Sequence, residues 1–208
     1  MKLKGIYAIT DDDLLSGRSL ISCIEPALQA GICMLQYRSK TGSTDQRTAQ
    51  AAQLLELCRR YQRPLIINDD VALCKRLGAD GVHLGTEDAS LESAREQLGN
   101  DAIIGISCHA SITEAITAQS LGADYVAFGR FFPSATKPTA SPAKIEVIKE
   151  ARAALKIPIV AIGGINAENG AALIGAGADM LAVIHAMFAS HDIAENTRRL
   201  VELFAISE

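Results

Sequence analysis

The chain has 208 residues, 49% of them hydrophobic, and a formal net charge of -4 from 20 Lys and Arg against 24 Asp and Glu. That length and apolar content suffice for one large core, and α/β barrels of this size are commonly single units, so one domain over residues 1–208 is expected. The mild acidity and the lack of a basic run argue against nucleic acid as a partner, and no apolar run reaches the ~18 residues that a membrane span needs.

In chain order, short apolar runs rich in Ile, Val and Ala end in Gly, Asp or Asn, and amphipathic stretches follow them. The runs are "GIYAIT" (5–10), "ICMLQYR" (32–38), "PLIIN" (64–68), "GVHL" (81–84), "IIGIS" (103–107), "YVAFG" (125–129), "PIVAIGG" (158–164) and "MLAVI" (180–184). Helical patterns lie between them, for example over 44–61, 91–98, 111–121, 142–155 and 167–176. Ser111 and Glu114 have capping-box spacing, and Asn166 suits an N-cap. "LGADGVHL", "LGADYVAF" and "AGADMLAV" repeat one joint, in which Gly78, Gly122 and Gly177 supply a left-handed helix end before Ala-Asp and a buried strand. Eight evenly spaced strands alternating with helices predict a (β/α)8 TIM barrel over an open doubly wound sheet, since no Gly-x-Gly-x-x-Gly follows the first strand.

The amino-terminal "MKLKGIYAIT" has two lysines but only a short apolar segment before three aspartates, unlike a signal peptide, so a cytoplasmic location is expected. The cysteines, Cys23, Cys33, Cys58, Cys74 and Cys108, are odd in number and show no C-x-x-C pair, which predicts reduced and mostly buried thiols. Cys108 follows a strand end and is the one to examine for reactivity. His83 lies inside a strand run and reads as packed, and His191 reads as surface. No zinc spacing and no Ser-His-Asp set is legible.

A barrel carries its site at the carboxyl ends of its strands. After strand 2 come Gln36, Arg38 and Lys40 on alternate positions, which in an extended chain leave one side together. An Arg fork beside a Lys point charge suits a phosphorylated ligand. After strand 3 come Asn68, Asp69 and Asp70, after strand 4 Gly85, Glu87 and Asp88, and strand 5 ends in Ser107. The long loop after strand 6 holds Ser134, Thr136 and Lys137, two hydroxyls and an ammonium that suit phosphate oxygens or an ordinary surface loop equally well. Gly163-Gly164 after strand 7, with Ile184-His185 after strand 8, matches the phosphate cup that barrels build there, or else a tight strand-to-helix turn. Asp69 and Asp88 read either as carboxylates for Mg2+ beside a phosphate or, for the acids after strand 3, as a helix cap.

The motifs "LQYRSK", "IINDDVALCKRLGADGVHLGTED", "IIGIS", "LGADYVAFGRFFPSATKP", "IPIVAIGGI" and "AGADMLAVI", in this order and spacing over about residues 7–188, resemble the thiamine phosphate synthase (thiamine-phosphate pyrophosphorylase) family. The resemblance implies a transferase of thiamine biosynthesis. It joins an aminopyrimidine carrying a CH2-diphosphate to a thiazole phosphate, releasing pyrophosphate with Mg2+ as cofactor, by a dissociative route. It implies that Gln36, Arg38, Lys40 and Asn68 hold the pyrimidine diphosphate, that Asp69 and Asp88 hold the metal, and that Ser107 and Lys137 lie against the diphosphate. Arg38, Lys137 and Ser107 are the implied catalytic groups. Ser134 and Thr136 then serve the thiazole side, and Gly164, Ile184 and His185 hold the thiazole phosphate. Three positions depart from the family pattern. Ser134 stands where Thr is most frequent, His185 where Ser is usual, and Arg130 where a small residue is common. The rival readings are a thiazole tautomerase, which needs no diphosphate grip, and a silent barrel that only binds the precursors. A homodimer is the expected assembly.

Overall fold

The computed structural model describes residues 3–85, 88–133 and 142–205. Among them, eight parallel strands close into a barrel: β1 (Gly5–Ile9), β2 (Met34–Tyr37), β3 (Leu65–Asn68), β4 (Gly81–Leu84), β5 (Ile103–His109), β6 (Tyr125–Gly129), β7 (Ile159–Ile162) and β8 (Met180–Val183). Each strand pairs in parallel with its sequence neighbours, and β8 returns to β1 with Gly5 opposite Met180. Outside run α1 (Leu20–Gln29), α2 (Thr44–Arg60), α3 (Val71–Leu77), α4 (Leu91–Leu98), α5 (Ile112–Ser120), α6 (Glu146–Ala154), α7 (Gly170–Ala176), α8 (His185–Phe188) and α9 (Ile193–Ala205). The expected (β/α)8 architecture is therefore present. None of these helices is long and apolar enough to cross a membrane.

Alternation along each strand divides the core in two. Tyr7, Ile9, Met34, Ile66, Tyr125, Ala127, Val160, Met180 and Ala182 fill the barrel interior. Their neighbours Ile6, Ala8, Leu35, Leu65, Ile67 and Val126 turn outward onto the helices. The interior is crowded where β5 meets β6. A Cβ on Gly105 would land in the ring of Tyr125, its partner across the ladder.

The repeated Gly-Ala-Asp joint has a structural meaning at the amino-terminal face. Gly78 and Gly177 end α3 and α7 in the left-handed region. Each following Asp then ties the start of the strand that precedes it. Asp80 accepts the Leu65 N–H, Asp124 that of Ile104 and Asp179 that of Ile159, each at 2.8 Å. Arg95 and Arg152 brace two of these carboxylates, at 2.7 Å to Asp124 and 2.8 Å to Asp179.

Helix ends follow local hydrogen-bond chemistry. Ser43 and Gln46 form a full capping box on α2, and Ser111 accepts the Glu114 N–H at the start of α5. Two starts fall later than the patterns predict. Asn166 accepts the N–H groups of Glu168 and Asn169, which makes a separate turn, and α7 begins only at Gly170. Before α6, the Ala143 N–H bonds sideways to the Arg130 carbonyl at 2.7 Å, so the helix begins at Glu146 instead of Pro142.

All five cysteines are free, and Cys33 alone among them is not fully buried. Burial pushes the thiols of Cys33, Cys58, Cys74 and Cys108 up to about 12. Cys108 is thus a packed thiol with its side chain in the core, not a reactive strand-end group. In native protein at pH 8 the thiolate fraction of such a group is ~1 in 10,000, so iodoacetamide is expected to leave these four unmodified by mass spectrometry until denaturant is added. Rapid alkylation of native Cys108 would contradict this. Gly105→Ala is expected to destabilise the barrel by ~1–3 kcal/mol through overpacking against Tyr125. A thermal melt checks it, and an unchanged midpoint would show that the interior has slack there.

Candidate functional site

At the carboxyl ends of the strands lies a cavity of about 1030 Å³. Gln36, Arg38, Lys40, Asn68, Asp69, Asp88, Ser107, Gly164, Ile184 and His185 all line it. Ten of the thirteen residues singled out from sequence therefore meet at one mouth. The other three, Ser134, Thr136 and Lys137, lie outside the described residues, as does Glu87.

The β2 end is held from β1. Thr10 Oγ1 accepts the Arg38 N–H at 2.8 Å and donates to the Arg38 carbonyl at 2.9 Å. Asp12 accepts from the Lys40 N–H at 2.7 Å, from the Thr41 N–H and hydroxyl at 2.8 Å each, and from Ser39 Oγ at 3.2 Å. Burial works to raise the Asp12 carboxyl, but these donors outweigh it and hold it below the usual range. The loop that carries Arg38 and Lys40 is thus clamped by buried and half-buried side chains before any ligand arrives. Asp11 sits 3.9 Å from the Arg38 guanidinium.

Across the mouth, Lys40 Nζ reaches Asp69 Oδ2 at 2.8 Å. Asp69 has φ +63, a left-handed conformation that costs a non-glycine residue roughly 1–2 kcal/mol. Such strain persists where the surroundings over-determine it. Here the Asp69 N–H is tied to the His83 carbonyl at 2.9 Å, while Asp70 turns away to cap α3 through the Leu73 N–H at 2.8 Å. The two acids after β3 therefore divide the alternatives, Asp70 capping and Asp69 facing the cavity. Asp88 accepts the Gly85 N–H at 2.7 Å, and the Asp69 and Asp88 carboxyls are in hydrogen-bonding contact. Burial favours the neutral form of both. At Asp69 the Lys40 ammonium and the Asp88 contact win, and its carboxyl is held low. For Asp88, burial and the contact with Asp69 win over the Gly85 N–H, and its carboxyl is raised. Two carboxyls pressed together beside open cavity suit a small hard cation, which takes one or two carboxylates and fills its remaining positions with water and phosphate oxygens.

The far side of the mouth is backbone. Gly163 and Gly164 have φ +104 and +65. A Cβ on Gly163 would meet Arg130, and one on Gly164 would meet the Pro133 carbonyl, so both conformation and space call for glycine. The Asn169 amide holds the Gly164 carbonyl at 3.0 Å. Ile184, His185 and Ala186 at the start of α8 face the same space. Arg130 lines the cavity beside Gly163.

Sequence reasoning missed the floor. His83 is not simply packed. Its Nδ1 lies 3.0 Å from Tyr125 Oη and its Nε2 2.9 Å from Ser107 Oγ. Tyr125 Oη lies 2.8 Å from Tyr7 Oη, which accepts from Gln36 Nε2 at 2.7 Å. The imidazole also stacks on the Tyr125 ring, and the two phenols meet edge to face. The available signal was the phase of Tyr7, His83 and Tyr125 on inward strand positions, since a buried phenol needs a partner.

The arrangement offers a cation pair and an acid pair at β2–β4, a backbone cup at β7–β8 and a polar floor between them. The chain is also similar to known proteins. The thiamine monophosphate synthase family model matches residues 6–187. The chain is 49% identical over 201 residues to the thiamine-phosphate synthase of Methylococcus capsulatus, covering 97% of this chain and 89% of that one. Among solved structures, the thiamine phosphate pyrophosphorylase of Pyrococcus furiosus superposes with a TM-score of 0.90 at 32% identity, over 99% of this chain and 98% of that one. The (S)-3-O-geranylgeranylglyceryl phosphate synthase of Thermoplasma acidophilum, at TM-score 0.69 and 18% identity over 96% of this chain and 92% of that one, shares the fold. With the family model spanning most of its length and relatives above 30% identity covering nearly all of it, the chain belongs to the thiamine monophosphate synthase family of transferases.

Proposed function

We propose that this chain joins a hydroxymethylpyrimidine diphosphate to a thiazole phosphate, yielding thiamine phosphate and pyrophosphate. The observation that carries the reading is that one cavity is lined by Arg38 and Lys40 at β2 and by the Gly163-Gly164 turn at β7–β8, two ends each suited to an anion. A tautomerase acting on the thiazole alone has no use for the first end.

In the proposed reaction the pyrimidine CH2–O bond breaks heterolytically and its electron pair leaves with the diphosphate. The electron-rich aminopyrimidine stabilises the resulting benzylic-type cation, and the thiazole nitrogen lone pair forms the new C–N bond. Negative charge grows on the leaving oxygens, so groups already aimed there stabilise the transition state more than the ground state. Arg38 and Lys40 do this from their clamped loop, with Asn68 beside them. Ser107 and Lys137 complete the contacts to the diphosphate. Asp69 and Asp88 would hold Mg2+, which when bound supplies charge neutralisation to the diphosphate. Gln36 addresses the pyrimidine, Ser134 and Thr136 the thiazole ring, and Gly164, Ile184 and His185 the thiazole phosphate. No protein nucleophile is required. The chemistry suits an enzyme of the cytoplasm that acts on small molecules, and a homodimer is the proposed assembly.

The test follows pyrophosphate release from purified protein with both substrates, with and without Mg2+. Release is expected only with both substrates and metal, and Arg38→Ala and Lys137→Ala are each expected to lower kcat by ~10²–10³-fold, the loss typical of one preorganised charge-stabilising donor. Binding of the thiazole phosphate without any pyrophosphate release would overturn the reading.

A further inference from the structure

The polar floor joins two residues of the proposed diphosphate site that are otherwise far apart in the chain. From one side to the other it runs Gln36, Tyr7, Tyr125, His83, Ser107, with every link between 2.7 and 3.0 Å. Tyr7 and Tyr125 are about 1% exposed or less and Gln36 is 2% exposed. Tyr125 is enclosed, and Tyr7 and Gln36 show only an edge to the cavity they line, so the links along the chain satisfy one another.

The direction of such a chain is constrained by proton counting. The Gln36 amide nitrogen can only donate, so Tyr7 Oη accepts there. Tyr7 then has one proton left, and Tyr125 Oη is the neighbour that can take it. Having accepted, Tyr125 passes its own proton to His83 Nδ1. That nitrogen is then unprotonated, so the neutral ring carries its hydrogen on Nε2, where it donates to Ser107 Oγ. Burial raises both phenols above their ordinary range, so each keeps the single proton that this counting assigns. The reverse polarity requires the Gln36 oxygen against Tyr7 and spends the Ser107 proton on His83. It is the Gln36 nitrogen, not its oxygen, that lies 2.7 Å from Tyr7 Oη, so the reverse polarity is not the one formed.

We infer that Tyr7, Tyr125 and His83 are positioning residues, whose one-way hydrogen-bond chain fixes His83 as the Nε2–H tautomer and so directs the Ser107 hydroxyl proton into the cavity. At the other end the same polarity turns the Gln36 nitrogen to Tyr7 and leaves its carbonyl oxygen as the acceptor for a ligand N–H. One chain thereby sets a donor for an anion and an acceptor for an amine on opposite sides of the floor. The identity of that anion as a diphosphate rests on the proposed function, and the polarity itself does not.

The experiment is 15N NMR of protein labelled at histidine, with the His83 signals identified by their loss in His83→Gln. Free protein, and protein with Mg2+ and pyrophosphate, are expected to show His83 Nδ1 as a bare acceptor nitrogen and Nε2 as protonated. Tyr125→Phe keeps the ring volume and removes the donor to Nδ1. It is expected to abolish the single-tautomer signature and to weaken pyrophosphate binding about tenfold, the loss of one hydrogen bond to a charged group. The KM for the thiazole phosphate is expected to stay unchanged while kcat falls. A proton on Nδ1 in the wild type, or a Tyr125→Phe protein with wild-type pyrophosphate affinity, would overturn the inference. Should the wild type bind no pyrophosphate yet show the Nε2–H signature, the polarity stands and the diphosphate reading fails.

Discussion

A parallel strand carries backbone donors and acceptors on both edges, and in this chain β8 meets β1 so that each strand is paired on both sides. Closure of that ring is the constraint from which the rest follows. It sends all carboxyl ends to one face and all amino ends to the other. It also leaves an interior too narrow for anything but side chains, filled by Tyr7, Met34, Ile66, Tyr125 and Met180. The two faces then diverge in chemistry. At the amino-terminal face, Asp80, Asp124 and Asp179 spend their carboxylates on strand N–H groups, and arginines neutralise two of them. At the other face, acids and bases stay open to a cavity.

The open face is organised before a ligand arrives. Asp12 and Thr10, neither of which has to touch a ligand, hold the backbone that presents Arg38 and Lys40. Asp69 is kept in a left-handed conformation with its carboxyl against that of Asp88. In the proposed reaction, fixed charges of this kind would need no reorganisation when negative charge develops. The β7–β8 side instead presents glycine backbone packed against Arg130 and Pro133.

Much of the fold was legible because barrel strands are short, apolar and punctuated by glycine, and the repeated Gly-Ala-Asp joint marked the αβ turns. Helix starts were less so, since Asn166 and Ala143 commit their backbone neighbours to turns that periodicity does not report. In the site, charged residues after strand ends stood out, and Gln36, Arg38 and Lys40 were visible through their alternation. Tyr7, His83 and Tyr125 were not, because a phenol or imidazole inside an apolar strand reads as core until a second strand supplies its partner. Asp12 was hidden for a related reason. A carboxylate in a polar run reads as surface, and only the closed barrel brings it under the loop after β2.

In the proposed reaction the cation pair, the acid pair and Ser107 form one metal-diphosphate site. The most direct measurement is a crystal structure of the protein grown with Mg2+ and pyrophosphate. The expected result is pyrophosphate lying between Arg38, Lys40 and Ser107 with the metal on Asp69 and Asp88. Pyrophosphate found only in the Gly163-Gly164 cup, with no metal on the two acids, would contradict it.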